Sequence, residues 1–490
     1  MGMLMVSSVL LSKVRKFALG FLCASCLLVS HPVLADSILD LFMSPADEQR
    51  IGEEEHPKIL KAFGGAYEDP RLTPYIRSIG QFLVQTTETP DAKFTFTILN
   101  TPLVNAFALP GGYIYVTRGL LALGSNEAEI AGVLAHEIAH VTARHSAGRA
   151  ANAGIAELGL IILGVLGGNS AVSKIGEVGA LALIQSYSRE DEFEADSLGV
   201  GYLSRAGFKP EAMSTFLEKL GAHSSFEAER LGVARDTGID FFATHPRTPE
   251  RVARAIQLAG IREVNNPIVA HELYLNKIDG MLFGDSPEQG MHIGRFFIHP
   301  VLGFEFEVPK NFSILNGSEK VVGRSKDGAV FQFDSDTNEG NELEYYVRYQ
   351  WAKGESLMDI TRRKIGGFPS VSARIVPGSQ DDKRLWLFAI EFDSRTIYRF
   401  ILAIPTNLSD SRSSLIQGLP LSFRPLGKEV AAAIRPNRLK IYRVSEEDNA
   451  VDLAAGMQIS EFGLERFLIM NGLKAGENLT PGILVKLVGY

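Results

Sequence analysis

Cysteine is all but missing from this 490-residue chain: Cys23 and Cys26 are the only two, and both lie near its start. No disulfide framework can staple the rest, and no thiolate can hold a metal there, which leaves His, Asp and Glu as the available ligands. Positive charge is also scarce. Lys and Arg number 49 against 57 Asp and Glu, a formal net charge of −8, which argues against nucleic acid or anionic lipid as the main partner. Low-complexity tracts are absent, and after residue 35 no apolar run is long and unbroken enough for a confident membrane span. What remains has the composition of a folded soluble protein, 46% hydrophobic and 22% charged, and its length suits two to four domains.

The first 35 residues differ. Lys13, Arg15 and Lys16 precede an apolar stretch from Phe17 to Ser30, and Val33-Leu34-Ala35 offers a cleavage site. That order is expected of a secretory signal peptide cut between Ala35 and Asp36; a retained membrane anchor is the alternative. Lipidation at Cys26 is disfavoured by Cys23 before it and by the apolar Leu27-Leu28-Val29 after it.

The most informative stretch is His136-Glu137-Ile138-Ala139-His140. Residues four apart on an α-helix are offset by only about 40° around its axis, so the two imidazoles point the same way. Glu137 lies beside them, placed to take a proton from a metal-bound water. The flanking run from Ala128 to Val141 is mostly apolar, as a buried helix requires. A buried helix with two hydrogen-bonded histidines is the plain alternative.

A catalytic zinc site needs a third protein ligand and an open position for water. His145 is near in sequence but would sit about 180° from His136 if the helix continued, and it lacks the metzincin spacing. It reads as a surface or supporting residue. A better source is Ser188-Arg189-Glu190-Asp191-Glu192-Phe193-Glu194-Ala195-Asp196. Ser188 and Asp191 form a capping-box pattern that starts a helix. On that helix Glu192 and Asp196 share a face, so one carboxylate can bind metal while the other holds a ligand imidazole by its second nitrogen.

Four segments now line up. Asn105 to Val116, the helix Glu127 to His140, Ser188 to Asp196, and Thr244-His245-Pro246 followed by Arg251 resemble, in order, the motifs of the HExxH gluzincin peptidases of the CAAX prenyl protease, HtpX and BepA type. The resemblance covers about residues 60–255. It implies one Zn²⁺ per chain held by His136, His140 and Glu192, with Glu137 as general base and Asp196 and Arg251 as supporting residues. His245 would donate to the tetrahedral oxyanion or act as a removable fourth ligand. Asn105, Ala106 and Phe107 would pair with an extended substrate backbone, although Pro110-Gly111-Gly112 is also ordinary hairpin chemistry. The apolar stretch Gly154 to Gly168 reads as a flap over the site or a membrane-facing segment. A zinc metalloendopeptidase is the implied activity, with extended or misfolded envelope polypeptides as substrates in protein quality control and the periplasm as its place.

The expected architecture is α+β and multidomain. A mainly helical, thermolysin-like zincin domain with a small edge sheet spans 36–262, and a connector spans 263–290. A β-rich α+β domain covers 291–427, with strand-like segments at 304–308, 330–333, 343–351, 385–392 and 397–404 and helical ones at 357–364 and 411–418. The last part, 436–490, resembles a degenerate LysM module of βααβ order. Glu447-Asp448-Asn449 replaces the usual Gly-Asp-Thr of that module, which weakens glycan binding and favours a packing or docking role. Peptidoglycan and the membrane surface remain in view as further partners.

Overall fold

Hydrophobic spacing decides most of the elements. The computed structural model describes residues 43–148, 187–231, 245–246, 249–376, 382–459 and 461–490. The expected signal segment 1–35, the apolar stretch 154–168 and Thr244 lie outside them. All that follows belongs to one unit, Pro45–Tyr490. Among the described residues no helix is long and apolar enough to cross a membrane.

Helices α1 (Pro45–Ala62) and α2 (Leu72–Val84) come first. Leu72, Ile76, Ile79 and Leu83 recur at helical spacing and are the buried stripe of α2. A small sheet follows, made of β1 (Thr95–Leu99), β2 (Ala106–Leu109) and β3 (Tyr113–Thr117). Its order is β1-β3-β2, with β3 parallel to β1 and antiparallel to β2. The β2–β3 turn works because Gly111 and Gly112 both sit at φ +79, a region that suits glycine. β2 is therefore an edge strand. Among the described residues, six helices complete this half: α3 (Arg118–Leu123), α4 (Glu127–Thr142), α5 (Arg189–Arg205), α6 (Ala212–Leu231), α7 (Pro249–Gly260) and α8 (His271–Ile278). Every residue of α4 from Ala128 to His140 is buried, as an all-round apolar helix demands.

The second half is built on antiparallel sheets. Strands β4 (Met291–Ile293), β5 (Phe296–His299) and β6 (Phe304–Glu307) join a later β14 (Arg424–Pro425) in the order β14-β6-β5-β4. A larger sheet has the order β10-β11-β12-β13-β9-β8-β7. Its strands are β7 (Phe312–Asn316), β8 (Lys320–Ser325), β9 (Val330–Thr337), β10 (Leu357–Ile365), β11 (Phe368–Ile375), β12 (Lys383–Glu391) and β13 (Thr396–Pro405). In β13, Tyr398, Phe400, Leu402 and Ile404 enter a phenylalanine-rich core shared with β5, β6 and α10 (Asp410–Leu421). Ile397, Ile401 and Ala403 face the opposite side. Alternation of period two thus buries both faces of one central strand.

Two local expectations fail here. Residues 343–351, read as a strand, form the short helix α9 (Leu343–Tyr346) and a π-helical turn, Val347–Trp351. Leu343, Tyr346 and Val347 are the buried ones, an i, i+3, i+4 spacing that outweighs their aromatic and β-branched character. Residues 357–364, read as helical, form β10 instead. Asp359 adopts φ +54 and the pairing with β11 slips between Met358 and Thr361. A bulge of this kind breaks the period-two pattern by which a strand is recognised.

After α11 (Lys428–Ala433) the chain runs through β15 (Arg438–Arg443), α12 (Ala450–Ala455), α13 (Gly463–Asn471) and β16 (Leu484–Gly489), and β15 pairs with β16. Leu439, Phe467, Met470 and Val485 share one hydrophobic core with α4 and α8. The contact is polar as well. Helix α3 ends with five carbonyls to satisfy, and all are accounted for: Leu120 by the Gly124 N–H, Leu121 by the Tyr274 hydroxyl at 2.5 Å, and Ala122, Leu123 and Gly124 by the Lys486 ammonium at 2.9, 3.1 and 2.5 Å. A helix C-terminus left without such partners inside protein is costly, and its negative dipole end favours a cation. Lys486→Met keeps the apolar stem but strands three buried acceptors. It is expected to lower stability by about 1–3 kcal/mol, read as a lower urea midpoint.

Candidate metal centre

Two helix starts set the site. The Asn126 side chain accepts from the Glu129 N–H at 2.9 Å and opens α4. Ser188 and Asp191 form the reciprocal capping box that the sequence suggested, with both bonds at 3.1 Å, and open α5. The two helices cross closely because Gly199 faces α4. A Cβ at Gly199 would lie 3.2 Å from the His136 backbone nitrogen and 2.8 Å from Met213 Cε. Glu192, Asp196 and Gly199 lie on one face of α5, so the close approach at Gly199 swings both carboxylates onto the histidines of α4.

The result is a buried cluster. Ligand-type atoms of His136, His140, Glu192 and His245 all lie within 4.8 Å of one another. His136 Nε2 is 3.1 Å from His140 Nε2 and 3.2 Å from His245 Nδ1. Glu192 Oε1 is 2.9 Å from His245 Nδ1 and 3.4 Å from His140 Nε2. Glu137 is fully buried beside them, with Oε1 3.4 Å from His245 Nε2. Asp196 Oδ1 accepts from His136 Nδ1 at 3.0 Å, which fixes the ring and turns its Nε2 lone pair toward the cluster. Arg251 donates to Asp196 through Nε and Nη2, both at 2.8 Å, and also pairs with Glu192. Of the sequence candidates, Asn105, Ala106 and Phe107 are buried at and before the edge strand β2, not in the cluster. The Asn105 backbone is held by Thr117, and its Oδ1 has no partner among the described residues.

His145, read from the sequence as a surface or supporting residue, stands beside a cluster histidine, and two further residues were passed over. His145 does not lie across the helix, because α4 ends at Thr142 and Arg144 turns at φ +59. The chain doubles back and brings His145 Nδ1 to 3.0 Å from His140 Nδ1. Tyr187 stacks on the His140 ring, with centroids 3.7 Å apart and planes at 14°, and its hydroxyl is 2.9 Å from Ser146 Oγ. Nothing in the sequence singled it out. Gly199 could have been found, since it continues the Glu192–Asp196 face by one more turn.

Charge explains why the donors stay as donors. Burial pushes the His140 imidazole well below its ordinary range, so the ring is neutral and its nitrogen offers a lone pair. Burial alone would raise Glu192 and Asp196. For Glu192 the charges of His245 and Arg251 prevail, and for Asp196 the hydrogen bonds and charge of Arg251, so both carboxyls are held below their usual values. With His136 donating through Nδ1, several lone pairs converge on one buried point, an arrangement that is repulsive without a cation at its centre. Three imidazole nitrogens and one carboxylate are zinc-type ligands. The group fits one metal ion.

The sequence pattern of peptidase family M48 matches residues 70–259, which contain the whole cluster. In this part the chain is similar to peptidase family M48. The chain is 32% identical over 236 residues to the beta-barrel assembly-enhancing protease of Escherichia coli (strain K12), covering 45% of this chain and 47% of that one. The protein of the same name from Yersinia pestis is 33% identical over 219 residues, 43% of each chain. The mitochondrial metalloendopeptidase OMA1 of Saccharomyces cerevisiae is 32% identical over 214 residues, 42% of this chain and 57% of that one. The chain thus spans about half the length of these relatives.

Two outcomes follow from the geometry. Gly199→Ala forces a methyl against the backbone of α4, so bound zinc measured by atomic absorption is expected to fall together with the melting temperature. The Asp196 carboxyl, depressed in the fold, stabilises at neutral pH, and this contribution is lost as pH falls below the unfolded value of about 4. Asp196→Asn is therefore expected to cost about 3–5 kcal/mol at pH 7. The gap from the parent narrows as acid protonates the parent's carboxyl, which urea unfolding of chelator-treated protein at stepped pH would measure.

Proposed function

We propose that this protein is an exported zinc metalloendopeptidase of the bacterial cell envelope, acting on extended or misfolded polypeptides in protein quality control. The observation that carries the reading is the buried convergence of His136, His140 and Glu192 with Glu137 alongside. The match of residues 70–259 to peptidase family M48 and the names of the protease relatives support the activity. The basic and apolar order of residues 13–30 supports export.

His136, His140 and Glu192 would hold the zinc ion. The chemistry that zinc would supply when bound is Lewis acidity, lowering the pKa of water from its bulk value to about 7 and polarising a carbonyl oxygen. Glu137 takes the proton of the attacking water and hands it to the leaving amine. Asp196 keeps the His136 ring in one tautomer, and Arg251 holds both carboxylates in place. Substrate would lie along β2, whose outer edge is unpaired within its sheet, with Asn105, Ala106 and Phe107 as its contacts. His245 reaches Glu192 through one ring nitrogen and Glu137 through the other, so it is placed either to close the ligand set or, once displaced, to donate to the oxyanion. The docking of 436–490 through Lys486 supports a packing role for that segment over glycan binding.

The test compares unfolded-casein cleavage by the parent, Glu137→Gln and His245→Ala. Glu137→Gln is expected to lose at least about 10²-fold in kcat, the low end for a general base, while keeping its zinc. Unchanged activity in that variant would overturn the mechanism. Activity confined to His245→Ala would show that the resting site is closed by that ring.

A further inference from the structure

A second cavity-forming region lies away from the metal. It encloses about 590 Å³, and α6, the edge strands β4 and β7, and the C-terminal segment all line it. That volume is typical of a small-molecule site. Much of its wall is apolar, with Phe226 from α6, Ile314 and Leu315 from β7, and Met457 and Ile469 from the C-terminal segment.

The polar part of the wall is unbalanced. Four guanidiniums face the cavity, Arg118, Arg230, Arg435 and Arg466, against two carboxyls, Glu227 and Asp285. Glu227 Oε2 accepts from Arg230 Nε and Nη2 at 2.9 and 2.7 Å, while Arg466 Nη2 stands 3.8 Å from its other oxygen. Glu227 thus lies between two cations, and Glu461 adds a second negative charge near Arg466. Among the described residues Arg118 donates to Asn100 Oδ1 and the Leu282 and Gly284 carbonyls, with the Asp285 and Glu288 charges near enough to act on it. Arg435 bonds the Ala432 and Ile434 carbonyls. Arg466 lies over the Phe226 ring, and its buried Nε has no acceptor among the described residues. A buried guanidinium N–H without an acceptor is uncommon in folded protein.

An apolar chamber with surplus guanidinium charge and a spare N–H at its wall matches one ligand chemistry. We propose that this cavity binds a small amphipathic anion, a carboxylate or phosphate monoester on a hydrocarbon body. The anionic group meets Arg466 and Arg230, and the hydrocarbon lies against Phe226, Ile314 and Met457. A planar guanidinium fork is well suited to two oxygens of one such group. Because three separate parts of the chain form the wall, the occupant would tie them together. This inference does not rest on the peptidase reading.

The test is calorimetric titration of the zinc-loaded Glu137→Gln protein, which retains every cavity residue. Dodecyl phosphate and dodecanoate, below their micellar concentrations, are the probes. One-to-one binding of both is expected, weakened at least about tenfold in Arg466→Gln, consistent with loss of one charge-assisted bond. Ser224→Phe, which fills the cavity from the surface of α6, is expected to abolish it. That second variant decides the matter if Arg466→Gln does not fold. Equal binding of dodecanol would overturn the anion assignment, and equal binding of inorganic phosphate would overturn the apolar one. Unchanged affinity in Ser224→Phe would remove the site. Binding only to anionic phospholipid vesicles would place the charge recognition at a membrane surface and not in the cavity.

Discussion

The close crossing of α4 and α5 is the constraint on which the rest of the metal-centre half depends. Each helix alone carries half of a metal site, two imidazoles on one and two carboxylates on the other. Gly199 removes the one side chain that would hold them apart, and the carboxylates then reach the rings. Arg251 makes this tolerable. Two carboxylates buried side by side would repel, and the desolvation cost of each is severe. A guanidinium bonded to both offsets it and leaves the Glu192–Asp196 face ionised. Packing comes first in this order, charge second, and chemistry last.

The same logic runs outward from the cluster. His136 is fixed by Asp196, His140 is bracketed by His145 and Tyr187, and Glu192 is shared by Arg251 and His245. The His136 and His140 rings are therefore each held on the far side by another side chain. Rigid support of this kind separates a metal site from a chance meeting of histidines.

Much of this was legible in the sequence, and the failures have physical causes. The helical offset of His136 and His140, the capping box at Ser188 and the shared face of Glu192 and Asp196 follow from spacing alone. His145 was misplaced because its position depends on where α4 stops, and a left-handed turn at Arg144 is not written in any local pattern. Tyr187 was invisible because stacking is a tertiary event with no sequence period. In the β-rich half, alternation revealed β6, β9, β12 and β13. It failed at residues 343–351, where strand-favouring side chains sit at helical intervals, and at β10, where a bulge breaks the rhythm. Local composition ranks elements only until a neighbour's surface decides between them.

The lysine under α3 has a consequence for how the chain comes to order. Lys486 meets Ala122, Leu123 and Gly124 across more than 360 positions of sequence, one of the longest loops the polypeptide closes. Contacts so distant form late. During synthesis the Ala122, Leu123 and Gly124 carbonyls lack this partner until residue 486 has been made. The helix just before the histidine helix thus gains this brace only after the β-rich half has been made, so its C-terminus is secured later than the strands and helices that lie between.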